Sequence, residues 1–209
     1  MRLYGSKAVR LVILGGPGSG TSTLGHILSL KLSVPHFEGD AIVWEGTAGN
    51  PYYRKRPSEE RVELLQTAVV PQVSWVISGS LGRWGDLLLS RTTGVVFLDV
   101  DRAERLNRLR VREASRFGTS ILPNNKNYGR YLDFLRMAAA YERGPYALRR
   151  HRLEDLEWFL RARGHKLYLD GLSTPNRIAE TVCSKFKLEV GANSPNGSAR
   201  QTESTHYSS

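Results

Sequence analysis

The sequence GGPGSGTSTL, residues 15–24, directly follows an apolar run that ends at Leu14. With glycines at 15 and 20 and a serine at 22, it matches the pattern Gly-x-x-x-x-Gly-Lys-Ser/Thr everywhere except at the lysine, which is Thr21. A strand, a glycine-rich turn and a helix in this order direct main-chain N–H groups at a phosphate, and the helix N-terminus adds a partial positive charge. We therefore predict a phosphate-binding loop built from main-chain donors.

The missing lysine leaves the activity of this loop open. A lysine places a full charge on the β- and γ-phosphates, and one charge-assisted hydrogen bond is worth roughly 1.5–3 kcal/mol. Thr21 can donate a hydrogen bond but no charge, whereas Ser22 keeps the hydroxyl that would hold Mg²⁺. Either the loop binds nucleotide without turnover, or an arginine supplies the charge. The residues expected to bind ATP are Gly15, Gly16, Pro17, Gly18, Ser19, Gly20, Thr21, Ser22 and Thr23.

Around the loop, apolar runs with β-branched residues alternate with segments of helical period, which is typical of a parallel sheet covered by helices. Five runs predict strands, at residues 9–14, 34–37, 75–77, 95–100 and 166–169. The segment 47–57 is rich in Gly, Pro, Asn and Tyr and predicts an irregular connection, and 117–129 predicts a mobile loop. Further helices are expected at 131–143 and 146–163.

Length and composition predict one domain followed by a tail. At 209 residues the chain is long enough for one well-buried α/β domain, which we place at residues 1–188 with a lid region at about 112–150. Residues 189–209 are rich in Ser, Asn and Thr and almost free of apolar side chains, so we expect them to be disordered.

The charge balance is unusual, with 30 Lys and Arg against 20 Asp and Glu, a formal net charge of +10. This excess favours polyanionic partners such as nucleotides or RNA, although most arginines after residue 100 are equally typical of solvated helix faces. The single cysteine, Cys183, excludes an internal disulfide and indicates a reducing, cytoplasmic setting. No apolar run approaches the ~18 residues of a membrane helix, and no Cys/His cluster has zinc spacing.

Five stretches carry a resemblance to a known family: GSGTSTLG (18–25), PHFEGD (35–40), WVISGSLGRWGD (75–86), VVFLDV (95–100) and RLRVREASRFG (108–118). With them the chain resembles the adenylate-kinase-related P-loop kinases, the group of nucleoside monophosphate kinases and shikimate-kinase-like small-molecule kinases. In particular it is similar to a branch whose loop also carries threonine in place of the lysine. The resemblance covers about residues 9–186. It implies a three-layer α/β P-loop NTPase fold with a five-stranded parallel sheet, helices on both faces and a helical lid.

The resemblance also implies roles for side chains outside the loop. In shikimate-kinase-like relatives an acid pair after the second strand handles Mg²⁺ and the acceptor hydroxyl, and Glu38 and Asp40 stand in that place. We expect Glu38, with Ser22, to bind the metal and Asp40 to bind the acceptor and take its proton. Relatives hold the acceptor after the third strand, where this chain has Arg83, and Trp44 is expected in the same acceptor-side wall.

Two further features of the sequence concern the site: a row of arginines after residue 100, and the residues that follow the third predicted strand. The expected lid arginines are Arg108, Arg112 and Arg116, which lie at four-residue spacing on one helix face. The sequence Ser78-Gly79-Ser80 replaces the Asp-Gly pair of many monophosphate kinases, which shifts carboxylate support for the metal onto Glu38 and Asp40.

The leading hypothesis is therefore an ATP- and Mg²⁺-dependent phosphotransferase acting on an unidentified acceptor, as a monomer or homodimer and without a membrane. A nucleotide-binding module with little turnover is the first alternative, because the lysine is missing. A kinase or ATPase acting on polynucleotide ends is the second, because the chain is basic, but no aromatic stacking platform is evident.

Overall fold

The computed structural model describes residues 8–47, 50–143 and 152–189, with the backbone alone for 47 and 50–53. Its strands are β1 Arg10–Gly15, β2 His36–Glu38, β3 Trp44–Thr47, β4 Asn50–Lys55, β5 Trp75–Ser78, β6 Gly94–Asp99 and β7 His165–Asp170. Its α-helices are α1 Thr21–Leu32, α2 Gly39–Val43, α3 Ser58–Leu64, α4 Arg102–Phe117, α5 Tyr128–Ala139, α6 Arg152–Arg161 and α7 Pro175–Phe186. Shorter helical turns are Leu65–Val69, Arg83–Leu88 and Gly118–Ile121.

Five strands form one sheet in the order β2-β5-β1-β6-β7, and every neighbouring pair in it is parallel. The predicted strands and their parallel arrangement are therefore confirmed. Strand β1 is central, and the four residues from Leu11 to Leu14 are fully buried, as expected for a strand covered on both faces. Because the strands are parallel, the loop after β1 lies at the same sheet edge as the turns after β2 and β5.

The side chains of β1 alternate between two hydrophobic cores, one on each face of the sheet. Leu11 and Ile13 pack with residues of α1 and α7: Leu24, Leu28, Ile178, Val182 and Cys183. Val12 and Leu14 pack against the opposite layer, which includes the turn after α3 and helix α6: Leu65, Val69, Trp158 and Phe159. Helices thus cover both faces, and the predicted three-layer architecture is confirmed.

The predicted irregular connection at 47–57 is wrong, because β3 and β4 pair as an antiparallel hairpin outside the main sheet. Arg54 stabilises the hairpin: its Nε donates to Glu45 Oε2 on the facing strand at 2.6 Å, and its Nη2 donates to Glu60 Oε2 on α3 at 2.9 Å. Glu45 and Arg54 are only nine residues apart, so the hairpin is local, but Gly, Pro and Asn in this segment are also typical of irregular loops.

The predicted loop at 117–129 is also partly helical. A helical turn spans Gly118–Ile121, and α5 begins at Tyr128, three residues earlier than expected. The Asn127 side chain donates to Ser120 Oγ at 3.1 Å, and its backbone N–H donates to the Ser120 carbonyl at 3.1 Å, so the two ends of the intervening segment are tied together.

The lid region and the tail are only partly within the described residues. Of the predicted helix at 146–163, residues 152–163 are described, and Arg152–Arg161 of these form α6; residues 144–150 of the predicted lid lie outside the description. The predicted tail lies outside it from residue 190 onward. Among the helices that are described, none is long and apolar enough to cross a lipid bilayer.

Candidate active site

The loop between β1 and α1 has the backbone geometry of a phosphate cradle. Gly18 has φ of +87° and Gly20 has φ of +95°, conformations that glycine adopts without strain. The Ser19 N–H donates to the Gly16 carbonyl at 2.9 Å, which closes the turn, and helix α1 begins directly after Gly20. A Cβ placed on Gly20 would meet no atom within 4 Å, so this side of the loop faces open space.

A cavity of about 230 Å³ lies over this loop. Its lining comprises Gly15, Gly16, Pro17, Gly18, Gly20, Thr21, Ser22, Thr23, Asp40, Ser78, Gly79, Ser80, Arg108, Leu109, Arg112 and Phe134. The structure therefore brings the predicted loop residues together with three predicted catalytic side chains, Asp40, Arg108 and Arg112. Of the predicted loop residues, only Ser19 does not line this cavity; its side chain is buried beside the loop.

Asp40 reaches the cavity because it lies in the first turn of α2, the short helix that follows β2. The C-terminal end of α2 is held by Arg56, whose Nη1 lies 2.8, 3.2 and 2.7 Å from the carbonyl oxygens of Ala41, Ile42 and Trp44. A cationic donor on the free carbonyls of a helix end is favourable. Arg56 therefore fixes a five-residue helix that would be marginal alone, and with it the carboxylate.

Arg108 and Arg112 project from successive turns of α4 into the cavity. Arg108 Nε donates to Glu104 Oε1 at 2.7 Å, and its Nη1 donates to the Gly171 carbonyl at 3.1 Å. Arg112 pairs with the neighbouring Glu113 at 2.8 Å, and its guanidinium lies 5.6 Å from the centre of the Phe134 ring. A guanidinium has five N–H donors, so each arginine retains donors for a ligand.

The third predicted lid arginine, Arg116, does not line the cavity. It is exposed one helical turn beyond Arg112, with its guanidinium 5.7 Å from the ring centre of Phe117. Four-residue spacing sets the face of a helix, but each turn also advances about 5.4 Å along the axis. Helix α4 has passed the cavity by the time it reaches Arg116.

Three other predicted site residues also lie outside the loop cavity. Glu38 is exposed at the end of β2 and does not line it, so the structure does not join it to Ser22 as a metal pair. Trp44 begins the hairpin and lies beneath Lys55, whose Nζ is 5.6 Å from the ring centre. Arg83 is exposed and lines a separate cavity of about 150 Å³ against α6. Successive side chains of a strand point to opposite faces, which accounts for Glu38 at the end of β2. The hairpin, which the sequence pattern did not predict, accounts for the position of Trp44.

Five cavity residues were not predicted: Ser78, Gly79, Ser80, Leu109 and Phe134. The turn 78–80 begins at the last residue of β5, which is hydrogen-bonded to β1, and the carboxyl ends of adjacent parallel strands form the usual ligand crevice. That rule would have identified the turn. Ser78 is buried and its Oγ lies 2.9 Å from Nε2 of His36, a ring whose pKa is lowered by burial, partly offset by Glu38.

A second cavity, of about 380 Å³, adjoins the first on the side of α7. Gly20, Thr23 and Arg108 line both, and the second is completed by apolar and small residues: Ser19, Leu24, Leu98, Gly171, Leu172, Ser173, Thr174, Pro175 and Ile178. Ser19 Oγ is buried and has no hydrogen-bond partner within the described part of the chain. The two cavities together form one elongated site with the start of α1 at its middle.

The groups in the loop cavity fit Mg²⁺ bound through a ligand. Within residues 8–47, 50–143 and 152–189, no three His, Cys, Asp or Glu side chains are grouped to hold a metal by themselves. The cavity instead offers one carboxylate, Asp40, and the hydroxyl of Ser22. Mg²⁺ is commonly bound by one or two protein oxygen ligands together with substrate phosphates and water.

No family model matches the chain, but a relative in Bacillus subtilis does. Over 172 residues the chain is 34% identical to the uncharacterized protein YqaC of Bacillus subtilis (strain 168), in a match that covers 82% of this chain and 88% of that protein. The chain belongs to the YqaC family. This YqaC-family chain is also 33% identical over 85 residues to adenylate kinase 2 of Synechocystis sp., covering 34% of this chain and 47% of that enzyme.

Among solved structures, shikimate kinase from Acinetobacter baumannii in complex with shikimate matches with a TM-score of 0.50 at 14% sequence identity, over 87% of this chain and 94% of that one. At this identity the likeness shows the fold alone. The YqaC-family chain has the three-layer α/β fold of P-loop kinases. That Thr21 marks a distinct branch of those kinases stays a prediction.

Proposed function

We propose that this chain is an ATP-dependent phosphotransferase of the small-molecule or nucleoside monophosphate kinase type, which binds MgATP at residues 15–22. The observation that carries the proposal is one cavity in which the phosphate loop meets a carboxylate, Asp40, and two guanidinium groups, Arg108 and Arg112. Main-chain N–H donors suit a polyphosphate, guanidinium groups suit the charge that develops during phosphoryl transfer, and a carboxylate suits an acceptor hydroxyl.

The two adjoining cavities divide the nucleotide between them. The triphosphate lies over the loop in the first cavity, and the nucleoside lies in the second, against Leu172 and Ile178. Arg108 lines both and so lies where the nucleoside joins the phosphates. The larger and more apolar second cavity suits the base and ribose, because ligand pockets combine apolar walls with a few polar groups.

The positive charge that a lysine would provide comes from α4 in this proposal. Thr21 has no charge, whereas Arg112 lines the same cavity and is 46% exposed, so its guanidinium can turn from Glu113 towards a phosphate. A guanidinium can also bind two phosphate oxygens at once. Arg108 is held more firmly, by Glu104 and the Gly171 carbonyl, and serves to position the ligand.

The transfer requires positioning and electrostatic stabilisation without a covalent enzyme intermediate. The acceptor oxygen bonds to the γ-phosphorus while the bond from that phosphorus to the β,γ-bridging oxygen breaks, and its electron pair leaves with ADP. The acceptor's proton passes to the Asp40 carboxylate. The Ser22 hydroxyl would hold Mg²⁺ together with phosphate oxygens and water, and the ion would neutralise phosphate charge when bound.

Turnover with a panel of acceptors tests this proposal. The match to adenylate kinase 2 makes nucleoside monophosphates the first class to assay, and small hydroxylated acids and sugars are the second. The proposal predicts ADP formation that depends on both MgATP and one acceptor class. Tight MgATP binding with no turnover across the panel would instead support a nucleotide-binding module, the alternative favoured by Thr21.

Replacing Arg112 with methionine should lower turnover by about 10- to 100-fold, because one charge-assisted hydrogen bond to the transferring phosphoryl group is lost. Arg116→Met is the matched control, since it removes the same side chain one turn along α4 but outside the cavity. Steady-state kinetics should show the control within about twofold of wild type. Equal losses in the two variants would contradict the role of Arg112.

A further inference from the structure

Arg105 is a buried cation directly behind the phosphate loop. Its side chain is only 1% exposed, although arginine is rarely buried unless paired. Nη1 donates to the Pro17 carbonyl at 2.7 Å, and Nη2 donates to the Glu142 carboxylate. The guanidinium also lies 5.1 Å from the ring centre of Tyr141. Arg105 does not line the loop cavity, so it contacts the loop from outside that cavity.

The bond from Arg105 sets the direction of one loop peptide. In a trans peptide the C=O and the following N–H point in opposite directions, and the described backbone has no cis peptide. Because the Pro17 carbonyl accepts from Arg105, which lies outside the cavity, the Gly18 N–H points away from Arg105, and Gly18 itself lines the cavity. A reversal of this peptide would aim a carbonyl oxygen at the phosphates and remove a donor.

We infer that Arg105 is a positioning residue that locks the Pro17–Gly18 peptide with its N–H facing a bound polyphosphate. This inference rests on the proposed function, and it explains how the loop stays ordered for anions without a lysine. Close packing supports it: a Cβ on Gly18 would lie 2.5 Å from the Arg105 carbonyl oxygen, and one on Gly16 would lie 3.1 Å from the guanidinium carbon. The loop has no room to move towards α4.

The contacts of Arg105 continue through Tyr141 and Asp155 to the turn 78–80, which forms another wall of the cavity. The Tyr141 hydroxyl donates to Asp155 Oδ2 at 2.7 Å, and Ser80 Oγ donates to the same oxygen at 2.8 Å. Burial, with the Asp155 charge, raises the pKa of Tyr141, so its hydroxyl stays protonated and donating. A Cβ on Gly16 would lie 2.7 Å from the Tyr141 ring. The loop and the turn 78–80 are therefore held by one connected network of largely buried side chains.

Arginine has a property here that lysine lacks. Its planar fork donates to the Pro17 carbonyl and the Glu142 carboxylate at the same time, whereas an ammonium on a flexible stem is a point charge. Arg105→Lys should therefore bind polyphosphate more weakly than wild type, although it keeps the charge. Arg105→Met keeps only the length and should bind more weakly still.

The test measures binding of inorganic tripolyphosphate and of MgATP to the full chain by calorimetry. We expect a loss of at least tenfold for Arg105→Met and a smaller loss for Arg105→Lys. Arg110→Met, an exposed arginine of the same helix, should bind within twofold of wild type. Thermal unfolding of each variant identifies the ones that are folded. Wild-type affinity in a folded Arg105→Met protein would overturn the inference and leave the proposed function standing.

A second measurement uses wild type only, in case Arg105→Met does not fold. Tripolyphosphate should move the Gly18 amide resonance in ¹⁵N-correlated NMR spectra more than that of Gly129, an exposed glycine outside the cavity. An unmoved Gly18 amide in protein that binds tripolyphosphate would refute the assigned peptide direction. If wild type binds neither tripolyphosphate nor MgATP, the proposed function fails, and this inference fails with it.

Discussion

Replacing Asp40 with asparagine should lower phosphoryl transfer by about 10²–10⁴-fold, the range of a lost general base. Asp40 is the one carboxylate that lines the described cavity, and the turn after β5 offers only Ser78 and Ser80 as other side chains for the acceptor. Asparagine keeps the size of the side chain and one hydrogen-bond-accepting oxygen but cannot take the acceptor's proton. The kcat should therefore fall far more than the affinity for MgATP.

Steady-state kinetics and calorimetry on the same preparation separate these effects. Asp133→Asn is the control, because Asp133 is an exposed carboxylate on α5 with a side chain that is 74% exposed. It should leave both kcat and MgATP affinity unchanged. An Asp40→Asn protein with wild-type kcat would show that the acceptor's proton leaves by another route, and that Asp40 has no catalytic role.

Replacing Gly20 with valine should reduce the affinity for MgATP by at least about 100-fold, equivalent to about 2.8 kcal/mol. The backbone at Gly20 has φ of +95°, which a β-branched residue adopts only with strain. Its side chain would also enter the open space over the loop, where no atom lies within 4 Å of the added Cβ. The strain lowers stability, and the side chain obstructs the space in which we propose that the phosphates bind.

Gly118→Val separates strain from obstruction. Gly118 has φ of +52°, and a Cβ there also meets nothing within 4 Å, but the residue lies at the end of α4 outside the cavity. Both variants should therefore lose stability by backbone strain, whereas only Gly20→Val should lose MgATP binding. Equal binding by Gly20→Val and wild type would place the polyphosphate elsewhere.

The loop and the central sheet are predictable because their signals are local. The burial of four consecutive apolar residues in β1, the glycine spacing after it and the start of α1 are all contiguous in sequence, and the structure places them as expected. The turn 78–80 could also have been predicted, because the ends of neighbouring parallel strands meet at one edge.

The remaining site residues depend on contacts that no local pattern encodes. Arg105 belongs to a run of arginines typical of an exposed helix face, and its burial follows from Glu142, Tyr141 and Pro17, which are distant in sequence. Arg116 shares the helix face of Arg112 but lies beyond the end of the cavity. The spacing of residues along one helix predicts which face their side chains share. Whether a side chain on that face reaches the cavity depends on the tertiary structure.

Binding of MgATP to the purified wild-type chain tests the central claim most directly. We predict saturable binding by calorimetry and a rise in unfolding temperature with MgATP concentration, because a ligand that binds only the folded state adds about 2.7 kcal/mol of stability at 100 times its Kd. Folded protein that shows no affinity for any magnesium–nucleoside triphosphate at millimolar concentration would contradict it, since main-chain donors and arginines would then fail to replace the lysine.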